Sequence, residues 1–197
     1  MLKLMLYKDW LFLYLLLALN TNYTTFMNIE NIAKYYIEAP AYEVPSQLAR
    51  DFRQFIINLA QVELQGVNVQ YVDFQPYFRG SRLCLEDIQA DVSQGNLLIN
   101  TQFNESELLD PEVNLIFRCI HDMHHVKLNV DFNWQGECAS ARHIMSLTDN
   151  FIFQQLLFSE ILGQSAVCLS RGQFLEHQKI VLFDSGILPC LFNSDLS

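Results

Sequence analysis

Between residues 112 and 162 the chain carries apolar side chains at helical spacing, and this pattern breaks once, at residues 131–136. Spacings of three and four residues place the apolar side chains on one face of a helix. Pro111 stands before the first half, where the first turn of a helix tolerates proline. We therefore expect two helices, over residues 112–130 and 137–162, with Gly136 providing a local bend between them.

The first of these helices concentrates three of the chain's five histidines, which are His121, His124 and His125. At about 100° per residue, His121, Asp122 and His125 share a sector of about 100°, and so do the three histidines. Glu137 begins the second helix, which can return its carboxylate to the first. The spacing therefore predicts a metal site, and it leaves open whether Asp122 or His124 completes the set.

A set of two imidazole nitrogens and two oxygens suits Zn, Fe or Mn better than Mg or Ca. The alternative is a polar helix face that happens to be rich in histidine, because a short HxxxH pair alone often occurs without a metal. The added carboxylates of Asp122 and Glu137 favour the metal. The same residues are then the candidate catalytic residues, since such ions act as Lewis acids or redox centres.

The arrangement His121-Asp122-x-x-His125, followed by eleven residues and Glu137, resembles the HDxxH-x11-E signature of the coenzyme Q biosynthesis protein 4 family. The surroundings are similar as well, because a Leu-Asp-Pro stretch precedes the motif and a glycine stands directly before the glutamate. The resemblance covers residues 109–164, under a third of the chain. It favours Asp122 over His124 as the remaining ligand.

The resemblance implies an all-α fold with a divalent metal ion on His121, Asp122, His125 and Glu137, most simply Zn, with Fe or Mn as alternatives. It also implies an apolar cavity for a polyisoprenoid tail and a role in ubiquinone assembly at a membrane. We therefore expect a protein that acts on, or presents, a polyprenylated aromatic quinone precursor, with ring decarboxylation or hydroxylation as the reaction. The alternative is an isoprenoid lipid-binding or scaffold protein whose metal is structural.

The expected fold is a single, irregular all-α bundle with an apolar cavity. The helix expected over residues 137–162 is apolar on most of its circumference, which is typical of a helix central to a bundle or lining a cavity. We expect an elongated cavity between it and the 112–130 helix, with the metal near one end. The other expectations are helical stretches within residues 28–64, an irregular connection over 66–82, a short helix over 83–92, a loop or brief extended piece over 93–104, and a helix over 164–175.

Composition narrows the partners and the location. The net charge of −10 argues against nucleic acid and against a polybasic grip on anionic lipid, so membrane contact would be mainly hydrophobic. Five widely spaced cysteines without a CxxC pair indicate a reducing compartment. We expect a cytoplasmic protein bound peripherally to a membrane surface, or one on the matrix side of the mitochondrial inner membrane. Other ubiquinone-biosynthesis proteins and a second copy, as a homodimer, are further candidate partners.

The first 27 residues form a separate segment ahead of the helical metal-binding domain expected over residues 28–197. Their apolar run, residues 10–19, is shorter than the roughly twenty residues that a membrane span needs. No Ala-x-Ala cleavage site follows it, as a signal peptide would require. We expect a helix that packs on the body or dips into a membrane surface, with a start at Met27 as the alternative.

Overall fold

The computed structural model describes residues 28–80, 82–175, 177–184 and 186–193 of the chain, so the expected N-terminal segment 1–27 lies outside the described residues. The described chain is mostly helical, as expected. Its elements in order are α1 (Ile29–Glu38), α2 (Ser46–Glu63), β1 (Asn68–Val72), β2 (Phe78–Arg79), β3 (Arg82–Leu83), α3 (Leu85–Ser93), β4 (Asn96–Asn100), α4 (Pro111–Leu128), α5 (Trp134–Ser146), α6 (Phe151–Phe158), a π-helical turn (Ser159–Gly163), α7 (Gln164–Arg171) and α8 (Ile187–Asn193).

The ends of α4, the helix that carries the histidines, agree closely with the expectation. Asp110 caps its first turn by accepting a hydrogen bond from the Val113 backbone N–H, and Pro111 occupies the first turn. The helix ends at Asn129, whose φ of 54° is left-handed, a conformation that asparagine tolerates better than most residues. These local signals in the sequence fix α4 between residues 111 and 128.

A small sheet corrects the purely all-α expectation. β1 pairs in parallel with β4, from Asn68 opposite Asn96 to Val72 opposite Asn100, and α3 lies between the two strands in the chain. β2 and β3 form a short antiparallel pair. The irregular connection expected over residues 66–82 is therefore wrong, whereas the extended piece foreseen within 93–104 is confirmed as β4. Two strands are stable here because the apolar side chains of β4 are buried against α3 and α4.

The single helix expected over residues 137–162 is also wrong. α5 ends at Ser146, and Asn150 starts a new helix by accepting hydrogen bonds from the backbone N–H groups of Ile152 and Phe153. That helix runs through the π-helical turn into α7, so the helix expected over 164–175 is its continuation. The rod Phe151–Arg171 is long and apolar enough to cross a membrane, but 72% of its apolar window is buried inside the protein, as in a core helix.

Helix α4 separates two apolar clusters. Phe117 and Ile120 face the main core, which α1, α2 and α5 to α7 also line. Cys119 and Met123 face the smaller cluster beneath the parallel strands. Because α4 is packed on both sides, its orientation is fixed, and the histidines that it carries point to defined neighbours on α2 and α5.

Candidate metal centre

Three of the four predicted ligands meet where α4 faces the first turn of α5. His121 Nε2 lies 3.1 Å from Glu137 Oε2 and 3.3 Å from His125 Nε2. His125 Nε2 lies 3.6 Å from Glu137 Oε1. One ligand atom from each residue thus falls within 4.8 Å of the other two, a spacing that could hold a metal ion. The predicted convergence of the two helices on one point is present.

Asp122 lies at the edge of this group. Its Oδ1 atom is 3.7 Å from Nδ1 of His121, the ring nitrogen that does not face Glu137. Histidines that bind metals commonly have a carboxylate at the second ring nitrogen, which orients the ring and increases its basicity. The structure thus places Asp122 as an orienting partner of His121, and its role as a direct ligand stays a prediction.

The His125 ring is held in the tautomer that a metal requires. Its Nδ1 lies 3.0 Å from the Val130 carbonyl oxygen, which can only accept, so Nδ1–H donates and the lone pair is at Nε2. The ring also stacks on Phe132, with centroids 4.0 Å apart and planes 16° apart. His125 therefore presents an unprotonated nitrogen toward His121 and Glu137.

The Glu137 carboxylate is positioned by its own turn and by a distant serine. Asn133 caps α5 by accepting a hydrogen bond from the Gly136 N–H, which fixes the turn that carries Glu137. Ser165, on α7, donates its hydroxyl hydrogen to Glu137 Oε2 at 3.1 Å. Sequence reasoning missed Ser165, because it is 28 residues beyond Glu137 and its approach depends on the packing of α7 against α5.

The ionisable side chains of the centre shift one another's pKa values. Burial works against a charged imidazole, yet Glu137 and Asp122 outweigh it and raise the pKa of His121 to about 10. Burial, followed by repulsion from His121, lowers the pKa of His125 to about 4. Burial opposes the ionisation of Glu137, but His121 lowers the pKa of its carboxyl below the ordinary value. Without a metal, a proton on His121 thus neutralises the Glu137 carboxylate.

The residues present fit a divalent metal of the zinc class. Replacing the His121 proton with a cation would give two imidazole nitrogens and a carboxylate, which is a donor set known from zinc enzymes. His125 is fully buried and the Glu137 side chain is 8% exposed, whereas the His121 side chain is 20% exposed. The centre is therefore closest to solvent on the His121 side.

His124 does not belong to this group, although spacing alone allowed it. Its Nε2 atom lies 3.1 Å from Glu63 Oε2 at the end of α2, and its ring stands edge-on to that of His143, with centroids 4.6 Å apart. The Glu63 and His143 contacts were not foreseen, because these residues lie far from His124 in the sequence. His124 therefore lies outside the group of His121, His125 and Glu137, and Asp122 as the fourth ligand stays a prediction.

The interface between α4 and α5 is tightly packed. Ile120 on α4 and Cys138, Ala141 and Ile144 on α5 have no exposed surface, so no water-sized space lies against them. A cavity of about 140 Å³ lies elsewhere, between α1 and α7, and charged side chains such as Lys34 and Arg171 line it. An apolar cavity beside the metal centre stays a prediction, and these side chains leave no room for it along this interface.

Comparison of the chain with known protein families, curated proteins and solved structures finds no match. The coenzyme Q resemblance thus depends on the motif and its surroundings within residues 109–164.

Proposed function

We propose that the chain is a metal-dependent protein of ubiquinone biosynthesis that acts on, or presents, a polyprenylated aromatic quinone precursor. The observation that supports this most strongly is the group formed by His121, His125 and Glu137. It has three converging ligands and one accessible side, and catalytic metal sites keep a position open in this way. The HDxxH-x11-E resemblance supplies the substrate class.

Each residue has a definite task in this proposal. A bound divalent ion, Zn or else Fe or Mn, would act as a Lewis acid toward a ring oxygen or ring carboxyl group. His121 and His125 would hold it through Nε2, Glu137 would neutralise part of its charge, and Asp122 would orient His121 or add a fourth ligand. The ring would approach from the exposed edge of His121. In a decarboxylation the ring carboxyl leaves as CO₂ and a proton takes its place.

One observation favours a second function, that of an isoprenoid lipid-binding or scaffold protein with a structural metal. The packed interface between α4 and α5 has no space for a tail at Ile120, Ala141 or Ile144. In an enzyme, the tail would then have to lie outside this interface, on the His121 side. In a scaffold, the metal would only join α4 to α5.

Both functions place the protein at a membrane surface, because a polyprenylated substrate is found there. We propose a peripheral position on the cytoplasmic face, with the matrix side of the mitochondrial inner membrane as the alternative. The net charge of −10 makes hydrophobic contact the main attraction. Other ubiquinone-biosynthesis proteins or a second copy of the chain are the proposed protein partners.

The test uses full-length, Zn²⁺-loaded protein and neutral vesicles with and without a polyprenylated hydroxybenzoate. Cosedimentation measures binding, and mass spectrometry of the extracted lipid measures loss of the ring carboxyl. We expect preferential binding to the loaded vesicles and conversion that Glu137→Gln abolishes. His177→Gln, a change at an exposed histidine outside the His121 centre, is the matched control. Binding without conversion would favour the scaffold, and equal binding to both kinds of vesicle would contradict both functions.

A further inference from the structure

A second group of side chains that can bind a metal lies on an adjacent face of α4. It joins three helices, with Glu63 from the last turn of α2, His124 from α4 and His143 from α5. One ligand atom from each falls within 4.8 Å of the other two. His124 is fully buried, and the Glu63 side chain is only 10% exposed. The group is therefore largely shielded from water, unlike an exposed cluster of polar side chains.

His124 can offer one ring nitrogen to this group. Its Nε2 atom faces Glu63, whereas Nδ1 points away from Glu63 and is buried without a hydrogen-bond partner among the described residues. The His143 ring stands edge-on to this imidazole, at an interplanar angle of 89°. An ion shared with Glu63 would therefore bind His124 through Nε2.

We propose that Glu63, His124 and His143 hold a second divalent metal ion of the zinc class, independent of the centre at His121. Two imidazoles and one carboxylate are donors that zinc accepts, and ions in sites of this kind stabilise the fold that brings the ligands together. This ion joins the C-terminal end of α2 to α4 and α5. Neighbouring positions on a helix are about 100° apart, so His124 and His125 serve different sites.

Lys127 makes the proposal distinguishable from a simple hydrogen-bond network. Its ammonium group contacts Glu63 Oε2, the same oxygen that faces His124. In a network without a metal, Lys127 is a stabilising partner of the carboxylate. In a metal site it competes with the cation for the Glu63 charge and repels the cation. The change Lys127→Met should therefore tighten Zn²⁺ binding at this site.

The experiment is equilibrium dialysis of the full chain, purified without a His tag, against Zn²⁺, with circular dichroism to confirm folding. We expect about two ions per chain for the wild type, about one for His143→Gln or His121→Gln, and none for the double variant. His177→Gln should keep about two. Lys127→Met in the His121→Gln background should lower the Kd of the remaining ion at least about threefold.

The outcomes separate this site from the proposed function. One ion per chain that His143→Gln removes and His121→Gln spares would support the second site and contradict the first. His143→Gln that keeps the full wild-type content would overturn the second site. If His143→Gln does not fold, Glu63→Gln in its place carries the same expectation. A Lys127→Met change that leaves the Kd unchanged or raises it would place the remaining ion away from Glu63 and overturn the second site.

Discussion

At the scale of single residues, the proton on His121 connects the metal centre to pH. The pKa of His121 is raised from 6.5 to about 10, so the metal-free protein keeps this proton at pH 8, where the unfolded chain has lost it. A cation can bind Nε2 only after the proton leaves. We expect Zn²⁺ binding at pH 8 to release about one more proton in the wild type than in His121→Gln.

Isothermal titration calorimetry in buffers of different ionisation enthalpy measures this difference. The affinity of the His121 centre should rise by up to about tenfold per pH unit between pH 7 and 9. Equal proton release by the wild type and His121→Gln would show that the metal does not displace the proton from the His121 ring. The metal would then bind elsewhere.

His121 and His125 also determine how the stability of the metal-free protein depends on pH. The raised pKa of His121 adds stability below pH 6.5 that is lost as the pH rises toward 10. The pKa of His125 is lowered to about 4, so its contribution is present above 6.5 and is lost as the pH falls toward 4. With chelator present, urea unfolding should thus give the highest stability near pH 6.5.

Each of these two groups changes the free energy of unfolding by at most about 1.4 kcal/mol per pH unit. Zn²⁺ should reduce the loss on the alkaline side, because metal binding strengthens as the competing proton leaves. A chelated protein that is as stable at pH 9 as at pH 6.5 would contradict the charge arrangement between His121 and Glu137.

At the scale of elements, the first turn of α5 determines where Glu137 lies. A methyl group on Gly136 would come within 1.7 Å of the Asp131 carbonyl oxygen, which is backbone and cannot move aside as a side chain can. We expect Gly136→Ala to lower the free energy of unfolding by about 1–3 kcal/mol and to weaken Zn²⁺ binding at the His121 centre. Gly95→Ala is the control.

Gly95 has a φ of 78° but no contact closer than 3.6 Å to an added methyl group, so its replacement strains the backbone without touching the turn that carries Glu137. It should lower stability by about 1 kcal/mol and leave Zn²⁺ affinity unchanged. Urea unfolding and Zn²⁺ titration of both variants check this. Normal Zn²⁺ affinity in a folded Gly136→Ala protein would show that the α5 turn does not position Glu137.

A second element-scale prediction concerns residues 180–183, which follow α7 and pack into the main core. Gln155 on α6 accepts a hydrogen bond from the Phe183 N–H at 2.8 Å and donates one to the Phe183 carbonyl at 3.0 Å, and the site is buried. Gln155→Leu removes both partners from buried backbone groups. We expect a loss of about 2–4 kcal/mol in urea unfolding.

Gln154→Leu, one position earlier at a half-buried site on α6, should lose less than half as much, since Gln154 donates to the carbonyls of Met145 and Thr148 in a partly solvated position. Similar losses for the two variants would mean that Gln155 does not hold residues 180–183 in place.

The helices and strands also show which parts of the fold could be predicted from the sequence. Apolar periodicity and a first-turn proline are local signals, so the extent of α4 followed from the spacing of its apolar residues, the break after it and Pro111. The break at Ser146 was missed because the apolar period continues across it, although Asn150 is a recognisable cap. The parallel pair β1 and β4 was missed because each strand has five residues, and only their burial against α3 and α4 makes the pairing stable.

At the scale of the whole molecule, α4 contributes residues to both apolar clusters and to both candidate metal sites. The convergence of His121, His125 and Glu137 was predictable, because helix geometry and one short connection determine it. Ser165, Glu63 and His143 come from elements whose approach depends on the packing of the entire bundle. Single-sequence patterns therefore identified the centre but could not identify its supporting residues or the second site.

The central claim is that His121, His125 and Glu137 bind one metal ion. Anomalous diffraction from crystals of Zn²⁺-saturated protein, collected on both sides of the zinc absorption edge, tests this claim most directly. We expect a peak about 2.0–2.2 Å from His121 Nε2, His125 Nε2 and a Glu137 carboxylate oxygen. A zinc-saturated crystal without a peak among these three residues would contradict the claim.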